Sequence, residues 1–370
     1  MGTTSAITDE AVDVDLPDDH DAPAEEPVGP TRPLEPGTVF DGYELVRPLG
    51  RGGMGDVWLA HRAAATMHGL EKLFALKVLS VRGYGSDSNF RGMFLDEGRI
   101  ASRIRHENVA QILDLGETDG TLYLVMEWVE GESYSSLLKQ ARKAGTKVPL
   151  GVSLRILADA ARGLHAAHEL AENGQLLGVV HRDVSPHNLL VSRSGVAKLI
   201  DFGIAKARDR LAGETRTGII KGKVRYMAPE QALSSDIDRR ADVWALGAML
   251  AEAIRGQVPY EGLGDIAILH KLFAGEAPIP PRECAPAALH AVLERTLCPL
   301  ERRMATAEEF ADALDAAASE LSLDARHADV SRYVAQVFGD RLASESSQTF
   351  QTLEGLRTGR LRAARARARK

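Results

Sequence analysis

The chain has very little cysteine: only Cys284 and Cys298 in 370 residues. The pair lacks metal-ligand spacing and has no aligned His pair, which argues against a zinc site. The expectation is two buried or half-buried thiols in a reducing cytosol. Long apolar runs are also missing. The longest candidate, Val243 to Ile254, is too short to cross a bilayer and carries Glu252. The acidic N-terminus has no apolar stretch of the kind a signal peptide needs. These absences point to a soluble, cytoplasmic protein without a membrane span. Basic residues are not in excess, and a net charge of −7 argues against nucleic acid as the main partner. That charge averages an acidic front over a basic rear.

What is present suits a globular enzyme. A hydrophobic content of 44% with 26% charged residues is ample for a core. The length is long for one ordinary domain and fits one bilobal enzyme with tails. Residues 1–40 are rich in Asp, Glu, Pro and Ala and bury too little apolar surface to offset ordering. They read as a disordered acidic leader, with a docking or pseudosubstrate arm as the alternative.

The chain is organised around His181-Arg182-Asp183-Val184-Ser185-Pro186-His187-Asn188. Taken alone, such an octapeptide could be a polar turn. Its neighbours in sequence give it weight. Upstream, Leu49-Gly50-Arg51-Gly52-Gly53-Met54-Gly55-Asp56-Val57 lies between strand-like runs. Glycines here let backbone N–H groups approach phosphates without a Cβ in the way. A G-x-G-x-x-G alone also suits a dinucleotide turn, but the downstream flank Val57-Trp58-Leu59 is strand-like, not a helix start. Phe74 to Leu79 reads as a buried strand with one lysine, Lys77. Phe90 to Arg105 has a helical pattern with Phe94, Ala101 and Ile104 near one face. Leu122 to Val129 is another β-rich run, and Leu154 to Leu170 is helical. Leu189-Leu190-Val191 and Ala197 to Ile200 read as a hairpin that delivers Asp201-Phe202-Gly203. A polar, turn-rich segment then closes with Ala228-Pro229-Glu230.

In this order the motifs resemble those of the protein kinases, specifically the bacterial eukaryotic-like (Hanks-type) serine/threonine kinases, over roughly Tyr43 to Leu314. The resemblance implies a bilobal α+β fold: a small antiparallel β-sheet lobe with one main helix (43–130) and a larger, mostly helical lobe (131–314). It implies ATP and Mg2+ as cofactors and protein substrates as partners. Asp183 would position the acceptor hydroxyl and take its proton, while Asn188 and Asp201 would hold magnesium. Lys77 would bind the α- and β-phosphates, braced by Glu97 on the helix, with Asp96 as the neighbouring competitor. The nucleotide would lie against Leu49, Gly50, Arg51, Gly52, Gly53, Met54, Gly55, Asp56 and Val57 of the glycine loop. Ala75, Met126, Glu127, Val129 and Leu190 would complete its pocket. Arg182 offers a fixed cation to a phosphate on Thr215 or Thr217. Asp242 would brace the catalytic loop, and Arg303 or Arg302 would pair with Glu230.

The pattern departs from the family twice. Ser185 stands where the Ser/Thr branch has Lys, and Lys223 where it has Thr. The expectation is an exchange: Lys223 supplies the ammonium to the γ-phosphate and Ser185 hydrogen-bonds Asp183. Pro186 and the absence of an A-A-R segment favour Ser or Thr over Tyr as acceptor. At the rear, residues 315–345 read as a helical extension with an amphipathic pattern at Val330, Val334, Val337, Phe338 and Leu342. Residues 346–370 read as an Arg-rich tail, with a solvated helix expected over Leu356 to Lys370. The competing function is a nucleotide-binding pseudokinase scaffold; a small-molecule kinase fits the full activation segment less well.

Overall fold

The computed structural model describes residues 34–52, 55–63, 72–79, 88–202, 223–233 and 237–367. The first strands are β1 (Val39–Phe40), β2 (Tyr43–Gly52), β3 (Gly55–Arg62) and β4 (Leu73–Leu79). After helix α1 (Ser88–Ala101) come β5 (Ile112–Thr118) and β6 (Thr121–Glu127). They form one antiparallel sheet in the order β1-β2-β3-β4-β6-β5. Side chains alternate across a strand, and β4 shows what this does. Leu76 and Val78 face an outer core with Tyr43, Leu45, Trp58, Tyr123 and Val125. Ala75 and Leu79 face the main core, where Phe94 of α1 is buried. Lys77 shares their face. Helix α1 stops at Ala101, short of the expected Arg105. The chain tightens there, with Ile104 N–H donating to the Ala101 carbonyl at 3.1 Å.

The hinge strand β7 (Gly131–Ser133) leads into α2 (Tyr134–Lys143), and α3 (Leu150–His168) follows. Ser133 Oγ caps α2 by accepting from Ser136 N–H at 3.1 Å. Residues after α3 form a small hairpin, β8 (Ala171–Glu172) and β9 (Gln175–Leu176). Its Asn173-Gly174 turn has both φ angles positive (51° and 80°), the turn that Asn-Gly favours. Strands β10 (Leu189–Ser192) and β11 (Ala197–Leu199) pair with β7 in the order β11-β10-β7. Gly131 is required there, since a Cβ would lie 2.0 Å from the Val191 carbonyl oxygen.

The remaining helices are α4 (Pro229–Ala232), α5 (Arg240–Arg255), α6 (Asp265–Phe273), α7 (Ala287–Thr296), α8 (Ala307–Glu320) and α9 (His327–Arg367). Helix α5 is buried from Ala241 to Ile254, as expected of a helix that is apolar nearly all round. Its Gly247 lets α7 approach, because a Cβ would meet Thr296 Oγ1 at 2.5 Å. Glu252 accepts from Tyr226 Oη at 2.5 Å and from Arg142 at 2.9 Å. Burial pushes the pKa values of both Tyr226 and Glu252 up. The partner of Glu230 is Arg303, not Arg302. The guanidinium meets both carboxylate oxygens at 2.5 and 3.2 Å and lies over the Trp244 ring.

Two expectations are corrected. Cys284 is exposed and only Cys298 is half-buried, because Cys284 falls in a short turn between α6 and α7. The rear of the chain is one continuous helix, α9, which runs through positions 345 and 346 without interruption. Among the described residues no helix is long and apolar enough to cross a membrane.

Arg303→Met should lower stability by about 3–5 kcal/mol, since it removes the buried guanidinium that meets both oxygens of Glu230. Denaturant unfolding of parent and variant measures the difference. A midpoint shift of a few tenths of a kcal/mol would be too small for the buried pair described.

Candidate active site

The catalytic loop is held by a buried carboxylate. Asp242, in the first turn of α5, accepts from His181 N–H and Arg182 N–H, both at 2.8 Å, and lies 2.8 Å from His168 Nε2. Burial by itself would raise its pKa. The His168 hydrogen bond, the nearby histidines and the His181 N–H outweigh burial and hold it below the usual carboxylate range. Arg182 has φ 64°, a left-handed conformation that costs energy for a residue with a Cβ. The two N–H bonds to one carboxylate, with Gln231 Nε2 on the Arg182 carbonyl at 2.9 Å, fix it there.

The same clamp aims the next residues. Asn188 Nδ2 donates to the Asp183 carbonyl at 2.8 Å and to Asp183 Oδ2 at 3.0 Å. Its Oδ1 is thereby the atom left to accept a cation. His181 Nε2 lies 3.0 Å from the Ile200 carbonyl, and its ring packs on Phe202 with centroids 4.5 Å apart. Ile200 N–H donates to the Asn188 carbonyl at 3.0 Å. These contacts bring Asp201 opposite the small lobe, again with a positive φ of 65°. Lys77 Nζ reaches it across the cleft at 2.8 Å. Lys77 is buried, so an unpaired ammonium there would be costly.

A cavity of about 550 Å³ opens beside this pair, within the range of small-ligand sites. It is lined by Leu49, Gly50, Val57, Ala75, Met126, Glu127, Val129, Leu190 and Asp201. In register, Val57 lies opposite Lys77, and Ala75 opposite Met126. Arg51 and Asp56 face each other at 3.7 Å near the hairpin tip, with Gly52 paired to Gly55. Gly53, Met54, Thr215 and Thr217 lie outside the described residues, as does the side chain of Lys223, whose backbone opens a short 3₁₀ turn. Glu97 is half-buried on α1, and the ion pair described for Lys77 runs to Asp201. Ser185 is a correction. Its Oγ is buried and meets no hydrogen-bond partner among the described residues, so the expected bond to Asp183 is not made.

No group of three or more His, Cys, Asp or Glu among the described residues is arranged to hold a metal. One carboxylate and one amide oxygen, Asp201 and Asn188, suit a hard cation that takes its other ligands from phosphates and water. The Lys77 ammonium on Asp201 shows that a cation is accommodated at that carboxylate.

A family model described as the protein kinase domain matches residues 43–312. The chain belongs to that family. It is 42% identical over 333 residues to the tyrosine-protein kinase MasK of Myxococcus xanthus, covering 88% of this chain and 51% of the relative. It is 32% identical to the serine/threonine-protein kinase pkn2 of Myxococcus xanthus, over 85% of this chain and 37% of that one. PknA of Mycobacterium tuberculosis, a serine/threonine-protein kinase, is 37% identical over 66% of this chain and 54% of its own. The chain thus spans from a little over a third to about half the length of these relatives. The solved PknI kinase domain of Mycobacterium tuberculosis is 30% identical with a TM-score of 0.58, covering 78% of this chain and 100% of that one.

The cavity of this kinase also has a wall that sequence reasoning missed. Arg341, Leu342, Glu345, Ser346 and Thr349 of α9 line it together with Arg47 of β2. The signal was present but polar. Leu342, Ser346 and Thr349 continue the stripe of Val330, Val334 and Phe338 at helical spacing, after apolar residues give way to hydroxyls.

Because Asp242 is depressed in the folded state, its contribution to stability is present at neutral pH and lost as pH falls below about 4. The stability gap between parent and Asp242→Asn should therefore be full at pH 7 and shrink through that acid range. Denaturant midpoints across pH measure it. A gap that widened towards acid would contradict the sign.

Proposed function

We propose that this chain transfers the γ-phosphoryl group of ATP to a hydroxyl of a protein substrate, with Ser or Thr as acceptor. The observation that carries the reading is the convergence on one cleft of Lys77 on Asp201 and Asn188 on Asp183, beside a nucleotide-sized cavity. Asp183 orients the acceptor hydroxyl and takes its proton. Lys77, braced by Glu97, and the glycine loop hold the phosphates. The loop offers backbone N–H groups, and the cleft excludes water from the transferred group. Asn188 and Asp201 would hold magnesium, which would neutralise charge on the phosphates. Lys223 supplies an ammonium to the γ-phosphate, and Arg182 receives a phosphate on Thr215 or Thr217. Rate then comes from positioning and fixed charge, since the protein forms no covalent bond itself.

Support for Ser or Thr comes from Pro186 and from relatives named serine/threonine-protein kinases. A tyrosine acceptor is the second reading, favoured by the relative named a tyrosine-protein kinase.

Incubation with magnesium and γ-labelled ATP, followed by phosphoamino-acid analysis, separates the two. Phosphoserine or phosphothreonine is expected; phosphotyrosine alone overturns the acceptor. Asp183→Asn should cut transfer by about 10²–10⁴-fold. Label that persists at the parent level in this variant would remove Asp183 from the role of base. Lys223→Ala should cost about 100-fold in kcat, and activity near the parent would remove Lys223 from the role of γ-phosphate cation.

A further inference from the structure

Helix α9 has 41 residues and so reaches about 60 Å. Its contacts run from one lobe to the other. At its start His327 Nε2 lies 2.9 Å from Asp159 Oδ2 on α3, and Ser331 Oγ donates to the Arg193 carbonyl at 2.6 Å. Val330, Val334, Phe338 and Leu342 are buried against the large lobe. The helix then passes the hinge. Arg341 pairs with Glu132, and Ser346 Oγ donates to Glu130 Oε1 at 2.8 Å. Arg193 joins the same group, 2.8 Å from Glu130 and 3.2 Å from Ser346. Beyond the hinge α9 meets the small lobe. Arg47 Nε donates to Thr349 Oγ1 at 2.9 Å, and its other nitrogen reaches Glu345 Oε2 at 3.2 Å. Leu356 packs so close to Gly37 that a Cβ there would lie 2.9 Å from it.

Arg47 is the informative residue. It sits on β2, two positions before Leu49, which with Gly50 roofs the cavity. Its guanidinium is mostly covered, with 20% of the side chain exposed, and it binds a hydroxyl and a carboxylate at once. A planar fork with two fixed acceptors sets direction as well as distance. Glu345 is also 3.7 Å from Arg341, which in turn holds hinge residue Glu132. A charge ladder Arg47–Glu345–Arg341–Glu132 therefore ties the glycine-loop strand to the hinge through a helix rooted in the large lobe. The α9 side chains at the cavity are engaged with protein groups, and the cavity keeps about 550 Å³ with the helix in place. The helix walls the cleft without filling it.

We infer that α9 completes the nucleotide site, with Arg47 and Glu345 as positioning residues that hold Leu49 and Gly50 at the separation from the hinge that clasps an adenine nucleotide. The inference rests on the reading of the cleft as an ATP site. Losing either side chain frees β2 to move away from the hinge, so nucleotide affinity falls.

The test is a double-mutant cycle in the full chain: parent, Arg47→Gln, Glu345→Gln and the double variant. The Kd for a non-hydrolysable ATP analogue with magnesium chloride is read by calorimetry, and the melting temperature without nucleotide is read alongside. Each single variant should weaken binding about tenfold. The double should also lose about tenfold, not a hundredfold, because both changes break one contact. In turnover the KM for ATP should rise much more than kcat falls. Thr349→Val keeps shape while removing one acceptor, and should weaken binding by a smaller factor; this arm stands if a Gln variant fails to fold. Binding at the parent level in every folded variant overturns the inference. So does tighter binding, which would make α9 an obstruction. Melting temperatures that fall while Kd stays constant assign the contact to stability alone and also overturn it. If the parent binds no nucleotide, the ATP reading itself fails and takes the inference with it, an outcome distinct from a parent that binds beside variants that bind equally.

Discussion

The carboxylate of Asp242 is the constraint on which the rest of the kinase domain depends. It is a charge fully withdrawn from water, and such a charge is tolerated only when its oxygens are hydrogen-bonded. Here the donors are the backbone of the catalytic loop and a histidine from α3. One buried group therefore joins the central helix of the large lobe, a neighbouring helix and the reactive segment. The unfavourable φ of Arg182 persists because two N–H bonds to one acceptor leave it little alternative. The direction of Asp183, and through Asn188 the geometry of the cleft, follows from there.

The cleft shows how opposite charges serve a site that must take up more charge. Lys77 and Asp201 neutralise each other across the lobes, which keeps both sparsely hydrated groups in place beside the cavity. On the function proposed, a nucleotide with its cation would offer both a better partner: phosphates for the ammonium and metal for the carboxylate. The pair thus holds the lobes in register at modest cost and is exchangeable by chemistry of the same kind. The backbone of the catalytic hairpin supports this from behind. Leu199 N–H and Ala110 N–H exchange bonds with Asn108 and Leu199 carbonyls at 2.9 and 2.8 Å, so Asp201 emerges from a strand anchored on both sides.

The sequence made the spine of this arrangement readable because kinase motifs combine rare residue types at fixed spacing. His181 to Asn188, Asp201-Phe202 and Lys77 require particular functional groups, and the fold brings them to one cleft. Ala75 and Lys77 share one face by strand alternation, and the resemblance had put both beside the nucleotide. What was not readable depended on the third dimension. Arg302 and Arg303 are equivalent in sequence, and only the wall formed by Trp244 and Glu230 selects Arg303. Ser185 is near Asp183 in sequence, yet its buried hydroxyl makes no bond to it. The cavity wall on α9 lies about 150 residues past the hairpin of β10 and β11 that it covers, and its polar stripe looks like a solvated surface until Arg47, Glu130 and Glu132 are seen to face it. The short hairpin at Asn173-Gly174 is different: its dipeptide is a local turn signal that the sequence reading did not use.

Gly131 sets where this domain can flex. With no side chain to hold it off, β7 lies directly against β10, bonded along its length from Gly131 to Ser133. Residues 131–133 therefore travel with the large lobe, while β6 up to Glu127 belongs to the small-lobe sheet. The pivot of any breathing motion is confined to residues 128–130. Rotation about so short an axle would carry β2 and β3 through a wide arc, and the Arg47–Glu345 contact is placed to limit it.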